Sequence, residues 1–148
     1  MTDFVLDTKL HADTIEITRL PLCLVRLMND RRFPWVVMIP AKPALSEITD
    51  LDAAGRGQLI EEIAFVSTAV REAFQPTKMN VGALGNVVAQ LHVHVVGRFA
   101  SDDAWPGPVW GTTPERYRPD EIERTLAPLR LHLDSGSLRP PTLTPISR

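Results

Sequence analysis

Short stretches of alternating or continuous apolar residues predict three strands in the first forty residues. Residues 13–18 alternate and are rich in β-branched side chains, a pattern typical of a half-buried strand. Residues 22–28 are mostly apolar and residues 35–40 almost continuously so, which predicts a second strand and a more central third one. Because only a short polar turn at residues 29–32 separates these two, we expect an antiparallel hairpin.

The spacing of apolar residues then changes to that of one long helix. Asp50 is predicted as its N-cap, and Pro76 lies beyond its end. Glu61, Glu62 and Arg71 are predicted to form its solvent-facing side. The apolar residues that recur at spacings of three and four, and so predict a stripe packed against a sheet, are Leu59, Ile63, Val66, Val70 and Phe74.

A period of two returns at residues 90–98, after a predicted fourth strand at residues 78–82. In a strand, this alternation places Gln90, His92 and His94 on one face, about 7 Å apart, and apolar side chains on the other. Small residues at 82–86 precede it, and their backbone N–H groups could face the imidazoles. Such an arrangement suits an anion, and phosphate in particular.

The last third of the chain is less regular. Residues 104–111 contain two tryptophans among prolines and glycines, which predicts a loop that either covers a pocket or packs as a clasp against the body. Pro119 or Asp120 is predicted to begin a short C-terminal helix, with a kink at Pro128. We expect residues 1–134 to form a single domain and residues 135–148, rich in Pro and Ser, to be an arm or a disordered tail.

Composition narrows the class of protein. With 148 residues and 44% hydrophobic residues the chain is long enough for one domain with a core. A net charge of -2 gives no basic surface for a nucleic acid polymer, and the single cysteine, Cys23, excludes an intrachain disulfide. No signal peptide or membrane-spanning run is visible, so we predict a cytoplasmic protein with no membrane partner.

Two chemistries fit the histidine pair. A neutral imidazole is a good nucleophile, so a backbone carbonyl that holds Nδ1–H of His92 would leave Nε2 free to attack phosphorus. Alternatively, His-x-His is a metal-ligand spacing of the kind that cupin-type sites use. However, no carboxylate follows the pair, and the other two histidines, His11 and His132, lie near the ends of the chain. We therefore predict no metal and no cofactor.

Residues 80–98 resemble the signature of the histidine triad (HIT) superfamily. That signature has three histidines at alternate positions, each followed by an apolar residue, after an asparagine and a Gly-rich turn. The order of the predicted elements is also similar, and the resemblance spans residues 13–111. It implies an α+β fold with a five-stranded antiparallel sheet, one long helix and a short C-terminal helix, and a homodimer. It also implies a nucleotide phosphohydrolase or nucleotidyl transferase that acts at the α-phosphate through a covalent nucleotidyl-histidine intermediate.

The resemblance assigns roles by position. His92 matches the central, nucleophilic histidine, and His94 matches the last one, which contacts the phosphate. The residues that match phosphate-binding positions are Asn80, Gly85 and Asn86. The two that lie near the hairpin position for ribose hydroxyls are Asn29 and Asp30, although turn chemistry alone explains either of them equally well.

Three positions depart from the family pattern. Gln90 stands where the first histidine belongs, and we expect it to orient His92 by a hydrogen bond. Val87 replaces a hydroxyl that assists the leaving group in some relatives, and Trp35 replaces a histidine. The incomplete triad therefore leaves an alternative, a non-catalytic nucleotide-binding or interaction module. Phosphoramidates, dinucleoside polyphosphates and nucleotide sugars all fit the predicted phosphate site.

Overall fold

The computed structural model describes residues 3–135 and shows a five-stranded antiparallel sheet with three helices. The strands lie in the order β1-β2-β3-β5-β4, which confirms the predicted α+β class. The elements in chain order are α1 (Thr8–Asp13), β1 (Thr14–Arg19), β2 (Cys23–Met28), β3 (Trp35–Pro40), a 3₁₀ turn (Ile48–Asp50), α2 (Ala53–Phe74), β4 (Lys78–Gly82), β5 (Val93–Arg98) and α3 (Pro119–Ser135).

Strand β5 lies inside the sheet, hydrogen-bonded to β3 on one side and to β4 on the other. β2 and β3 form the predicted hairpin, and all pairings are antiparallel. The register places His94 opposite Val37 of β3 and Gly82 of β4. Gln90 to His92 lie before the strand, so the regular part of the predicted histidine strand is shorter than expected.

The alternation of side chains in β3 and β5 divides the interior into two apolar clusters. Val36 and Val95 point to the first cluster, where they pack with buried residues of α2 and α3. Val37 and Val96 point to the second cluster, which the N-terminal segment and the loop after β5 complete. Helices α2 and α3 therefore cover one face of the sheet, and the face that carries His94 is left for a site.

Asp52, rather than Asp50, is the N-cap of α2. The Asp52 side chain accepts a hydrogen bond of 2.7 Å from the backbone N–H of Gly55. The Asp50 carboxylate instead accepts from the backbone N–H groups of Ser46 and Glu47, which close the 3₁₀ turn and lower the pKa of Asp50. The N-cap prediction was wrong because two aspartates lie within three residues and only the turn geometry distinguishes them.

Glu62 is fully buried, although it was predicted on the solvent-facing side of the helix. Its Oε1 accepts from the backbone N–H of Leu22 at 2.7 Å, and its Oε2 from that of Cys23 at 2.9 Å. Both donors lie where β2 begins. Without the carboxylate, these buried backbone N–H groups would have no hydrogen-bond acceptor. Burial and the adjacent Glu62 raise the pKa of the Cys23 thiol.

Helix α3 is longer than the short helix we predicted, because it continues through Pro128 to Ser135. Leu126 and Leu129 are buried on either side of the proline, and α3 packs against α2. The predicted C-terminal arm lies, from residue 136 onward, outside the described residues. Over residues 3–135, no helix combines the length and the hydrophobicity that crossing a bilayer requires.

Candidate active site

A cavity of about 430 Å³ opens on the histidine side of the sheet. It is bounded by the two histidines, by the turn between β4 and β5, by α1 and by the loop after β5. Its lining includes Lys9, Leu10, Asp13, Met28, Asp30, Trp35, Gly85, Asn86, His92, His94, Val109 and Trp110. Apolar and polar side chains both contribute to this lining, as in many small-molecule sites.

The orientation of His92 is set by a backbone carbonyl. Nδ1 of His92 lies 2.6 Å from the carbonyl oxygen of Gln90. A carbonyl oxygen only accepts hydrogen bonds, so Nδ1 carries the proton and the neutral ring keeps its lone pair on Nε2. The geometry therefore satisfies the condition for a nucleophilic Nε2. The ring is 7% exposed and lines the cavity, so a substrate can reach it.

His94 has the opposite tautomer. The indole Nε1–H of Trp35 donates to Nδ1 of His94 at 3.0 Å. Because an indole nitrogen only donates, Nδ1 must be unprotonated and the neutral ring carries its proton on Nε2. Burial, with a smaller contribution from His92, lowers the pKa of His94 to about 4. The two rings lie edge to face with their centroids 4.9 Å apart, so the N–H donor of His94 lies beside the His92 ring.

The Gln90 side chain does not orient His92, which corrects our expectation. Its Oε1 accepts from the backbone N–H of Asp7 at 2.9 Å, and its Nε2 donates to the carbonyl oxygen of Val5 at 2.8 Å. Both partners belong to the N-terminal segment. The residue contributes to the orientation of His92 only through its backbone carbonyl, which any residue at this position could supply.

The predicted phosphate-binding residues divide into two groups. Gly85 and Asn86 line the cavity beside the histidines, and Gly85 has a positive φ of 74°, which favours glycine. Asn80 does not line the cavity. Its Oδ1 accepts a hydrogen bond of 2.8 Å from Nη1 of Arg98, so the amide is engaged in holding a buried guanidinium. The structure therefore does not bring Asn80 to the site.

The structure also separates the two candidates in the hairpin turn. Asp30 is buried and lines the cavity, and its carboxylate pairs with Arg32 at 2.7 Å. Asn29 lies outside the cavity, where its Oδ1 accepts from the backbone N–H of Tyr117 at 2.9 Å. Asn29 therefore holds the chain segment before α3 in place. Of the two residues, only Asp30 faces the site.

The tryptophan loop contributes one of its two rings to the cavity. Trp110 lines the cavity, and its ring lies 5.4 Å from that of His94, centroid to centroid. Trp105 is partly exposed, and the Arg98 guanidinium lies 5.8 Å from its ring. Arg98 in turn pairs with Asp102 at 2.8 Å within the same loop. The loop is therefore fastened to the end of β5 and brings a second aromatic wall to the histidines.

Sequence reasoning missed the residues of α1 and the role of Trp35. Lys9, Leu10 and Asp13 line the cavity from α1, and Lys9 and Asp13 pair at 2.7 Å. The four-residue spacing of Leu6 and Leu10 was the available signal for a segment packed on the body. Among residues 3–135, no three His, Cys, Asp or Glu side chains converge as a metal-ligand set.

Comparison with known proteins identifies the family to which this fold belongs. A model of the HIT domain matches residues 9–101. A histidine triad protein from Bradyrhizobium japonicum is 40% identical with a TM-score of 0.86, and the match covers 89% of this chain and 99% of that one. A HIT protein from Sinorhizobium meliloti 1021 is 40% identical with a TM-score of 0.85, and the match covers 88% of this chain and 97% of that one. A histidine triad protein from Marinobacter aquaeolei VT8 is 39% identical with a TM-score of 0.84, and the match covers 90% of this chain and 98% of that one.

Two further comparisons bear on the assignment. A histidine triad family protein from Mycobacterium smegmatis, described as Zn-bound, is 20% identical with a TM-score of 0.58, a likeness of fold alone. No curated protein matches the chain. The domain match covers more than half of the sequence, and structures of similar length align over nearly their whole chains. The chain therefore belongs to the HIT domain family, part of a superfamily of nucleotide-binding proteins and hydrolases.

Proposed function

We propose that this protein hydrolyses a nucleotide or transfers its nucleotidyl group, with reaction at the α-phosphate through a covalent nucleotidyl-histidine intermediate. The observation that carries the proposal is the opposite tautomers of the two histidines at one cavity. One ring presents a lone pair and the other presents an N–H donor. Attack at phosphorus needs both, a nucleophile for the bond that forms and a donor for the charge that develops.

In the proposed reaction, Nε2 of His92 forms a bond to the α-phosphorus while the bond to the leaving group breaks. The Nε2–H of His94 and the backbone N–H groups of the turn at Gly85 and Asn86 stabilise the phosphoryl oxygens. Water then attacks the phosphorus, and the bond from phosphorus to Nε2 breaks with its electron pair returning to the imidazole. This step releases a nucleoside monophosphate and restores His92. Because the pKa of His94 is about 4, its ring is neutral near neutral pH and donates the Nε2–H to a phosphoryl oxygen without placing a positive charge beside His92.

The rest of the cavity supports a nucleoside. Leu10, Met28 and Val109 supply apolar surface of the kind on which a base packs, and Asp30 supplies carboxylate oxygens for hydroxyl groups. We propose Asp30 as the ribose contact, through Oδ2, which among residues 3–135 accepts only from Nη2 of Arg32. Asn29 is omitted because it lies outside the cavity lining, whereas Asp30 lies within it. The carboxylate is held in place by Arg32, whose pKa is raised by that hydrogen bond.

The test is turnover of three substrates that share an adenylyl group and differ in leaving group. The purified protein is incubated with adenosine phosphoramidate, a diadenosine polyphosphate and a nucleotide sugar, and product nucleotides are followed. We expect release of a mononucleotide from at least one substrate, a loss of about 10³-fold or more in His92→Ala, and transient adenylylation of the native protein. His11→Ala is the control, because His11 is exposed on α1 and outside the cavity lining.

The alternative is a non-catalytic nucleotide-binding or interaction module, which the replacement of the first triad histidine by Gln90 motivates. If the native protein binds nucleotide without turnover, and Gln90→His also shows no turnover, the result would favour that module and contradict the enzymatic proposal. The homodimer and the cytoplasmic location that we expect from the sequence stay predictions.

A further inference from the structure

The Gln90 side chain joins the histidine segment to the N-terminal segment. Its amide oxygen accepts from the Asp7 backbone N–H at 2.9 Å and its amide nitrogen donates to the Val5 carbonyl at 2.8 Å. A primary amide presents a donor and an acceptor side by side, so it can serve a backbone N–H and C=O that lie two residues apart. Both functional groups of Gln90 are therefore committed to the chain start.

That chain start forms one wall of the cavity. Phe4 and Leu6 pack against the apolar cluster on the histidine side of the sheet, and Leu10 is buried within it. Residues 4–13, which we call the N-terminal wall, continue into α1, which brings Lys9 and Asp13 to the cavity. Gln90 thus lies at the point where this wall meets the backbone carbonyl that orients His92.

We propose that Gln90 is a positioning residue for nucleotide binding, which anchors the N-terminal wall against the cavity through its two backbone hydrogen bonds. The inference rests on the proposed function, because it assigns the anchored wall to the nucleoside end of that site. It also explains how a glutamine serves at a position where the family has a histidine. The N–H and the lone pair of an imidazole point in divergent directions, so a histidine cannot make both bonds to Val5 and Asp7.

Other contacts keep the wall folded when the anchor is removed. The Asp7 carboxylate caps α1 by accepting from the backbone N–H groups of Lys9 and Leu10. At the other end of α1, Thr14 Oγ1 donates to the Leu10 carbonyl within the buried interior. Loss of the Gln90 amide should therefore loosen the position of the wall rather than unfold the protein, which makes the role measurable.

The first measurement is backbone amide exchange by NMR in the native full chain, Gln90→Met and Gln90→His. Methionine keeps the length and removes both hydrogen-bonding groups. We expect exchange at the Asp7 N–H to accelerate about tenfold or more in both variants, because the bond that protects it is lost. The Leu91 N–H, bonded to the Leu45 carbonyl at 2.9 Å, should be unchanged, which shows that the histidine segment itself is intact.

The second measurement is the affinity for AMP and for inorganic phosphate. We expect the Kd for AMP to rise several-fold in Gln90→Met and Gln90→His, while the Kd for phosphate stays within about twofold, because the wall meets the nucleoside and not the phosphate turn. Ile60→Ala is the control. Ile60 is exposed on α2 and lies outside the cavity lining, so both affinities should equal those of the native protein.

The outcomes separate this inference from the proposed function. Unchanged exchange at Asp7 in Gln90→Met, or unchanged AMP affinity alongside faster exchange, would overturn the positioning role even if the enzyme turns over its substrate. Failure of the native protein to bind AMP would overturn the proposed function and the nucleotide role of Gln90 together. In that case the exchange data would still show separately whether the amide anchors the wall.

Discussion

At the scale of single residues, the site depends on which atom of each imidazole carries the proton. The partners decide this, because a carbonyl oxygen faces Nδ1 of His92 and an indole N–H faces Nδ1 of His94. Trp35 supplies that indole donor from β3, the strand next to β5. Since its hydrogen bond stabilises the neutral form of His94, it acts in the same direction as burial on the pKa.

The residue-scale prediction is that Trp35→Phe raises the pKa of His94 and releases its tautomer. The variant keeps an aromatic ring but has no N–H for Nδ1. An NMR pH titration of His94 should show titration near 4 in the native protein and at a higher pH in the variant. The ¹⁵N shifts at pH 7 should show a proton on Nε2 in the native protein and a mixture of tautomers in the variant.

The same pKa sets the sign of an acid effect on stability. Unfolded His94 titrates near 6.5 and folded His94 near 4, so between these values the unfolded chain binds more protons. The free energy of unfolding should therefore fall as pH drops through this window, by about 3 kcal/mol from this residue, and less in Trp35→Phe. His11→Ala is the control. Identical titration of His94 in native and Trp35→Phe protein would contradict the role of the indole.

At the scale of elements, one buried carboxylate connects the long helix to the sheet. Glu62 on α2 accepts hydrogen bonds from the first backbone N–H groups of β2 and from the Gln58 side chain. The sequence contained the relevant signal. Glu62 lies three residues after Leu59 and four before Val66, on the apolar stripe itself. Its charge suggested solvent, but its position in the helical repeat indicated burial.

The element-scale prediction is that Glu62→Gln lowers the free energy of unfolding by about 2 kcal/mol, measured by urea denaturation. An amide keeps one acceptor and places an NH₂ group toward one of the donors that the carboxylate now satisfies. Glu61→Gln is the matched control and should change the value by less than about 0.5 kcal/mol, since Glu61 is only partly buried. Equal effects of the two substitutions would contradict the connection between α2 and β2.

At the scale of the whole molecule, the two apolar clusters share the strands that separate them. β3 and β5 send Val36 and Val95 to the helix side, and Val37 and Val96 to the histidine side. Because consecutive residues of the same strands belong to both clusters, we expect loss of one cluster to disturb the other. The site therefore depends on the same cooperative unit that holds the helices.

The whole-molecule prediction is a single unfolding transition seen by two probes. All three tryptophans, Trp35, Trp105 and Trp110, belong to the histidine side, so their fluorescence reports that side. Far-UV circular dichroism mainly reports α2 and α3 on the other side. We expect the two urea curves to coincide in midpoint and slope. An earlier fluorescence transition would show that the site side unfolds independently.

The sequence by itself determined the strands, the long helix and the histidine pair, because these depend on periodicity and residue type within short windows. The period of two predicted β1 and β5, and runs of apolar residues predicted β2 and β3, all within a few residues. The spacing of His92 and His94 pointed to the candidate site. It also pointed to the family, because the glycine turn and the histidines are contiguous.

Only the tertiary structure decided the partners of the polar side chains. Asn80 binds Arg98, Asn29 binds the backbone before α3, and Gln90 binds a segment more than eighty residues away in sequence. A local pattern carries no information about such contacts, because a polar group takes whichever donor or acceptor the fold brings within reach. For the same reason the N-terminal wall, distant in sequence from the histidines, became part of their cavity only once the chain folded.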